Sequence, residues 1–373
     1  MMPAYLDHAA STPMRPEAVE AMLPFLQDRF ANPSGAHLAA RDARRAVDEA
    51  RDEVAEYLGG QPGEVVFTSG GTEADNHAVL GAVRLHGGRA VSSAVEHHAV
   101  LHPVEHVGGR LVGVDAAGRI DLAALAEALG PDVTVVSVML VNNEVGTVQP
   151  FEAVAETVRA RAPQAILHTD AVQGFPWLDV ATIAAPAACI SVSAHKFGGP
   201  KGVGALLVRA GTTLEPLLLG GGQERDRRSG THNVAGIVAM AAAMRATVDE
   251  RAATVERVGA LRDRLVDGLV AAVPDVHETV PRPAKVAGSA HVCIDGVESE
   301  ALLFLLERGG VYASVASSCA SGAMEPSHVL AAMGVAKERA AGALRLSLGH
   351  ASTAADVDVA LDVIPDAVRR LRR

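Results

Sequence analysis

Short apolar runs rich in β-branched residues alternate with longer Ala/Arg/Glu stretches through the first two thirds of the chain, and this alternation restricts the fold more than any other feature. Val65-Val66-Phe67-Thr68, Val133 through Met139, Ile166-Leu167-His168, Ile190-Ser191-Val192 and Ala205-Leu206-Leu207-Val208 read as strands. Strands separated by helices predict a mainly parallel sheet covered on both faces, with ligands gathering at the carboxyl ends of the strands. A helical stretch from Glu250 through Val270 then leads into a region with fewer strands, among them Ala290-His291-Val292-Cys293-Ile294, and a helical tail. The chain is therefore expected to be of the α/β class. A large domain over residues 15–255 would be joined to a smaller C-terminal α/β domain over 256–373 that also takes up the N-terminal segment 1–14. The 373 residues are enough to fill both cores.

Charge and cysteine usage exclude several classes. A formal net charge of -11 argues against a nucleic-acid surface, which needs a clustered basic face. The Arg-rich end, Val368-Arg369-Arg370-Leu371-Arg372-Arg373, reads as the C-terminus of a helix whose cations complement its dipole. No apolar run reaches the ~18 residues of a membrane span. The start, Met1-Met2-Pro3-Ala4-Tyr5-Leu6-Asp7, lacks the basic n-region of a signal peptide, so a soluble cytoplasmic protein is expected. Three cysteines at scattered spacings form neither a closed disulfide framework nor a paired zinc motif. Cys189 and Cys293 lie in apolar runs and read as small buried hydrophobes.

Lys196 follows one of these runs in Ser193-Ala194-His195-Lys196-Phe197-Gly198-Gly199-Pro200, and Asp170 ends another in His168-Thr169-Asp170-Ala171-Val172-Gln173. A lysine that condenses with an aldehyde and a carboxylate that keeps a pyridine nitrogen protonated are the two fixed requirements of pyridoxal phosphate (PLP) chemistry. Phe67-Thr68-Ser69-Gly70-Gly71-Thr72-Glu73 is a strand, a glycine turn and a helix start, which either serves the fold alone or holds a phosphate on exposed N–H groups, with the Thr72 hydroxyl, Ser193 and His195 in reach. His98 and His102 are spaced by one helical turn, but Pro103 is expected to break that helix and no carboxylate or thiolate set accompanies them, so no metal is expected. A histidine stacked on an aromatic cofactor fits this run better. Asn142-Asn143 is a turn signal that also offers an amide to a ring hydroxyl. Leu219-Gly220-Gly221-Gly222-Gln223-Glu224-Arg225-Asp226-Arg227-Arg228-Ser229-Gly230-Thr231 is either a solvated charged loop or a clasp for an anion. Cys319 stands among small residues without apolar periodicity, in Ala316-Ser317-Ser318-Cys319-Ala320-Ser321-Gly322, where a thiol is either incidental or exposed for chemistry.

In combination, and over nearly the whole chain from Tyr5-Leu6-Asp7-His8-Ala9-Ala10-Ser11-Thr12-Pro13 to Leu344-Arg345-Leu346-Ser347-Leu348-Gly349, these motifs resemble the cysteine desulfurases of the iron-sulfur-cluster assembly group. Those enzymes belong to the class V aminotransferase family of fold-type I PLP-dependent transferases. The resemblance implies that Lys196 carries the Schiff base and Asp170 pairs with the pyridine nitrogen. Gln173 and Asn143 address the ring oxygen. His97 stacks on the ring and assists proton transfer, while Gly71, Thr72, Ser193 and His195 bind the phosphate with Thr231 of a neighbouring subunit. Arg345 and Asn32, from Phe30-Ala31-Asn32-Pro33-Ser34, grip the substrate carboxylate. Cys319 accepts sulfur from L-cysteine as a persulfide and alanine is released.

The same resemblance implies a homodimer that hands sulfur to an acceptor protein such as an iron-sulfur scaffold or a tRNA-thiolation protein. The extended Ser/Ala/Gly stretch before Met324-Glu325-Pro326-Ser327-His328 is similar to that of the long-loop desulfurases. Two positions depart from the family pattern. Ala316-Ser317-Ser318 stands where Gly-Ser-Ala is usual, and His350 where a basic residue often follows Leu-Gly. A selenocysteine lyase or another class V aminotransferase would not need Cys319, and a PLP-bearing assembly protein without catalysis of its own would need neither the lysine nor the cysteine.

Overall fold

The computed structural model describes residues 3–315 and 327–373. The strands are β1 (Ala4–Tyr5), β2 (Val65–Thr68), β3 (Arg89–Ser93), β4 (Arg110–Val112), β5 (Val133–Ser137), β6 (Ile166–Asp170), β7 (Cys189–Ser193), β8 (Gly204–Val208), β9 (Val276–Glu278), β10 (Ser289–Ile294), β11 (Val311–Tyr312) and β12 (Ala343–Ser347). Among the described residues the main sheet runs in the order β2-β8-β7-β6-β5-β3-β4. Its strands are parallel except β8, which pairs antiparallel with both β7 and β2. The reason is the connection: the segment between β7 and β8 holds one short 3-10 turn, Ala194–Lys196, in place of a crossover helix, so the chain returns beside the strand it has just left.

The first four helices are α1 (Pro16–Leu26), α2 (Leu38–Tyr57), α3 (Gly71–His86) and α4 (His98–His106). In α2 the spacing of Ala40, Ala43, Val47, Ala50 and Val54 lays these apolar side chains along one buried stripe, while Leu38 at the start of the helix is exposed. Proline does not end α4 as the sequence suggests, because Pro103 lies inside it. The carbonyl of Ala99, which loses its helical donor to the proline ring, instead accepts a hydrogen bond from Asn76 Nδ2 at 3.2 Å.

The helix expected from Glu250 begins sixteen residues earlier and spans Val234–Ala272. Its first half packs into a buried apolar cluster that runs from Ala18 to Met244. Its second half, from Val258 to Leu269, joins a different cluster with Ala4, Leu6 and residues of β10, β12 and the helix Ala354–Leu371. A second sheet, β12-β10-β9, is antiparallel, and β1 pairs with β11. Asp7 bridges to Ser347 just beyond β1. The N-terminal chain is thereby carried across to the carboxyl ends of the main-sheet strands.

Candidate active site

The carboxyl ends of the parallel strands open on a cavity of about 420 Å³ lined by Gly71, Thr72, Asp75, His97, Asn143, Glu144, Asp170, Gln173, Ser193, His195, Lys196 and Arg345. These residues arrive from the ends of several strands: Gly71 after β2, His97 after β3, Asn143 after β5, Asp170 on β6, and Ser193 and Lys196 at the close of β7. At one side α3 begins directly in the turn, so its first N–H groups lack intrahelical partners. Gly70 has φ 153°, and a Cβ on Gly71 would stand 2.8 Å from Val172 Cγ2. The turn therefore needs glycine to bring its backbone this close to the cavity.

Asp170 is 5% exposed and its Oδ1 accepts the N–H of Val172 at 2.8 Å. Burial pushes its carboxyl up to about 6, while the ammonium of Lys196 acts in the other direction. Lys196 Nζ donates to the carbonyls of Ala9 at 2.5 Å and Ala10 at 3.0 Å. Burial and the nearby Arg345 push its amine down to about 8, which brings the nucleophilic form within reach at neutral pH. His97 caps α4, its Nδ1 accepting from Ala99 N–H at 3.1 Å, and presents its ring to the cavity. The surrounding walls and the Lys196 ammonium push that imidazole down to about 4, so it is a neutral ring at physiological pH. Burial likewise lowers His195 to about 4.

Arg345, on β12, closes the cavity from the second sheet. Its Nη2 pairs with Asp7 Oδ1 at 2.9 Å and its Nη1 donates to the carbonyl of Asn143 at 3.2 Å. Gln173 Nε2 holds the carbonyl of Ala9 at 2.6 Å. Four acids here escaped the reading of the sequence: Asp7, Asp75, Glu144 and Glu96. Burial raises Glu144 to about 7 and Glu96 to about 8. Each owes its setting to burial or to a partner distant in the chain, Arg345 for Asp7 and Ser327 for Glu144, which no local pattern signals.

Not every expected residue meets in one chain. Thr231 lies in a separate pocket with Phe67, Ser69, Glu224 and His232. Asn32 is exposed, its Oδ1 accepting Ser34 N–H at 2.9 Å, and it is absent from the lining of the cavity. Cys319 lies outside the described residues. Cys189 and Cys293 are buried, and burial pushes the Cys189 thiol up to about 12. His98 stands 4.8 Å from His102 and 4.8 Å from His328, ring centre to ring centre. Among the described residues no group of three or more His, Cys, Asp and Glu side chains is arranged to hold a metal, and no helix is long and apolar enough to cross a membrane.

The sequence profile of the class-V aminotransferases matches residues 4–360. The chain belongs to the class-V aminotransferase family. Across 99% of its length the chain is 47% identical to an IscS-like cysteine desulfurase of Mycobacterium tuberculosis, of which it covers 97%. A solved NifS-like protein superposes with a TM-score of 0.93 at 34% identity, over 99% of this chain and 100% of that one. A structure described as SspA in complex with cysteine superposes with a TM-score of 0.81 at 31% identity, covering 94% of this chain and 100% of that one.

The family's cofactor is PLP, and the cavity fits it. The start of α3 with Ser193 and His195 suits a phosphate, the buried Asp170 carboxylate suits a protonated ring nitrogen, and a lysine of lowered basicity lines the same cavity.

Proposed function

We propose that this chain is a cysteine desulfurase, converting L-cysteine to L-alanine and leaving the sulfur as a persulfide on Cys319. The observation that carries the reading is the meeting of Lys196, Asp170 and Arg345 in one cavity, together with a cysteine in the Ser/Ala/Gly stretch before Ser327. The IscS-like and NifS-like relatives support it. PLP bound there supplies an electron-withdrawing ring that renders the substrate's Cα–H acidic.

The chain's own groups do the rest. Gly71, Thr72, Ser193 and His195 would bind the phosphate, joined by Thr231 of a second copy in a homodimer. Asp170 would keep the ring nitrogen protonated, and Gln173 and Asn143 would hydrogen-bond the ring oxygen. The neutral His97 ring would stack on the cofactor and exclude water. Arg345 binds the substrate α-carboxylate, with Asn32 as a further contact, and Lys196 Nζ takes and returns the Cα proton. The Cys319 thiolate attacks the substrate sulfur: an S–S bond forms, the C–S bond breaks, and the carbon gains a proton to give alanine. The balance is L-cysteine plus enzyme thiol to L-alanine plus enzyme persulfide. An acceptor protein, an iron-sulfur scaffold or a tRNA-thiolation protein, then takes the sulfur in the cytoplasm.

We divide the chain into a PLP-binding domain over 15–255 and a smaller one over 256–373 with 1–14, a reading supported by the two apolar clusters that share the helix Val234–Ala272. The test of the function is product analysis: the purified, PLP-loaded chain should release alanine and sulfide from L-cysteine in equal amounts when a reductant is present.

A further inference from the structure

The N-terminal segment contacts both groups that would have to engage an amino-acid substrate. Asp7 pairs with the Arg345 guanidinium, and two residues on, the carbonyls of Ala9 and Ala10 take the Lys196 ammonium. The segment is firmly built into the fold. Tyr5 Oη donates to the carbonyls of Asp7 at 3.2 Å and Ser11 at 2.8 Å, Ala9 N–H donates to Ser347 Oγ at 2.8 Å, and Gln173 secures Ala9 from the other side.

We propose that Asp7 is a specificity-determining residue, an internal carboxylate that occupies Arg345 until the α-carboxylate of a free amino acid displaces it. The proposal rests on the reading of Arg345 as the group that binds the substrate carboxylate.

Two observations carry it. Arg345 does not need Asp7 for its placement, since it is 7% exposed within β12 and its Nη1 is held by the Asn143 carbonyl. Among the described residues its buried Nε has no partner, so with Nη2 engaged by Asp7 a carboxylate gains a two-pronged grip on the fork only by taking the place of Asp7. The Asp7 side chain is 22% exposed and can be rehydrated when it leaves. A carboxylate ligand thus exchanges one ion pair for another and gains little from Arg345 alone. Selectivity falls on ligands that also engage the amine subsite, and a ligand without a carboxylate feels Asp7 only through the weaker pull of its charge on the Lys196 ammonium.

The test titrates the PLP-loaded wild type, Asp7→Asn and Arg345→Ala with L-alanine and with ethylamine, following the absorbance of the bound cofactor. In Asp7→Asn, L-alanine should half-saturate at on the order of tenfold lower concentration, with ethylamine shifted far less; Asp7→Glu should return L-alanine toward the wild-type value. Unchanged or weaker L-alanine binding in Asp7→Asn overturns the proposal, as does an equal loss of both ligands, which would mark Asp7 as a support of the fold. If Arg345→Ala weakens L-alanine alone while Asp7→Asn has no effect, only the role of Asp7 falls. If Arg345→Ala leaves L-alanine binding intact, the carboxylate site itself is misassigned and the proposal falls with it.

Discussion

Glu224 receives both terminal nitrogens of Arg51 at 2.7 Å, and the two side chains are buried together. The same carboxylate accepts Phe67 N–H at 2.9 Å and bonds His232 Nε2 at 2.7 Å. It anchors a turn in which Glu224, Arg225 and Asp226 all have positive φ, at 50°, 56° and 63°. Left-handed backbone costs roughly 1–2 kcal/mol for each such residue, so the turn persists because Glu224 is held from several sides. Replacing Glu224 by Ala should strand a buried guanidinium and cost about 3–5 kcal/mol, measured by denaturant unfolding. A loss within experimental error would mean that the pair does not secure the turn.

The buried Glu96 predicts a pH effect with a definite sign. Its Oε1 accepts from Ser93 Oγ and Met139 N–H, and burial holds the carboxyl near 8 against an ordinary 4.5. The folded state therefore binds a proton that the unfolded chain releases, and stability drains away as pH rises from 4.5 toward 8. Glu96→Gln keeps the acceptor and removes the titration. Its stability relative to the wild type should improve by on the order of 3 kcal/mol between pH ~4.5 and ~7; a difference that stays flat with pH contradicts the assignment.

Cofactor attachment gives a third expectation. Lys196→Ala should lose the borohydride-reducible covalent link to PLP, while retaining some loose binding at the phosphate subsite. Asp170→Ala should keep the link and lower kcat by roughly a hundredfold or more, because the ring loses its proton. A reducible link that survives in Lys196→Ala assigns the chemistry to another amine.

The separate placement of Thr231 bears on assembly. Mixed dimers of a Lys196→Ala subunit with a subunit disrupted at the Thr231 loop should recover part of the activity, since one composite site is then intact. Verified mixed dimers without activity would place each site within a single chain.

Much of this was legible in the sequence for a physical reason. A parallel sheet buries both faces, so its strands write themselves as apolar runs, and Lys196 and Asp170 announce the site by standing at the ends of two of them. The strands β1, β3, β4, β9, β11 and β12 were not legible: β1 and β11 have two residues each and β4 and β9 three, while polar residues interrupt the apolar runs of β3, at Arg89 and Ser92-Ser93, and of β12, at Arg345. Pro103 misled because a local rule ignored the donor that Asn76 brings from α3. The start of the helix at Val234 was missed because its Ala/Gly/Met-rich first half is buried nearly all round and shows no polar face. Asp7 and Glu144 acquire their roles from residues about two hundred or more positions away, Arg345 and Ser327 respectively, a relation that no spacing encodes.

The central claim is that sulfur leaves L-cysteine for Cys319. Mass spectrometry of the PLP-loaded wild type after brief exposure to L-cysteine, without reductant, should place one additional sulfur on Cys319 and none on the buried Cys189 or Cys293. Cys319→Ser should still bind L-cysteine with a change in cofactor absorbance, yet its release of alanine and sulfide should collapse. Release at near wild-type rates from Cys319→Ser would contradict the account and identify a lyase that expels sulfur without a carrier thiol.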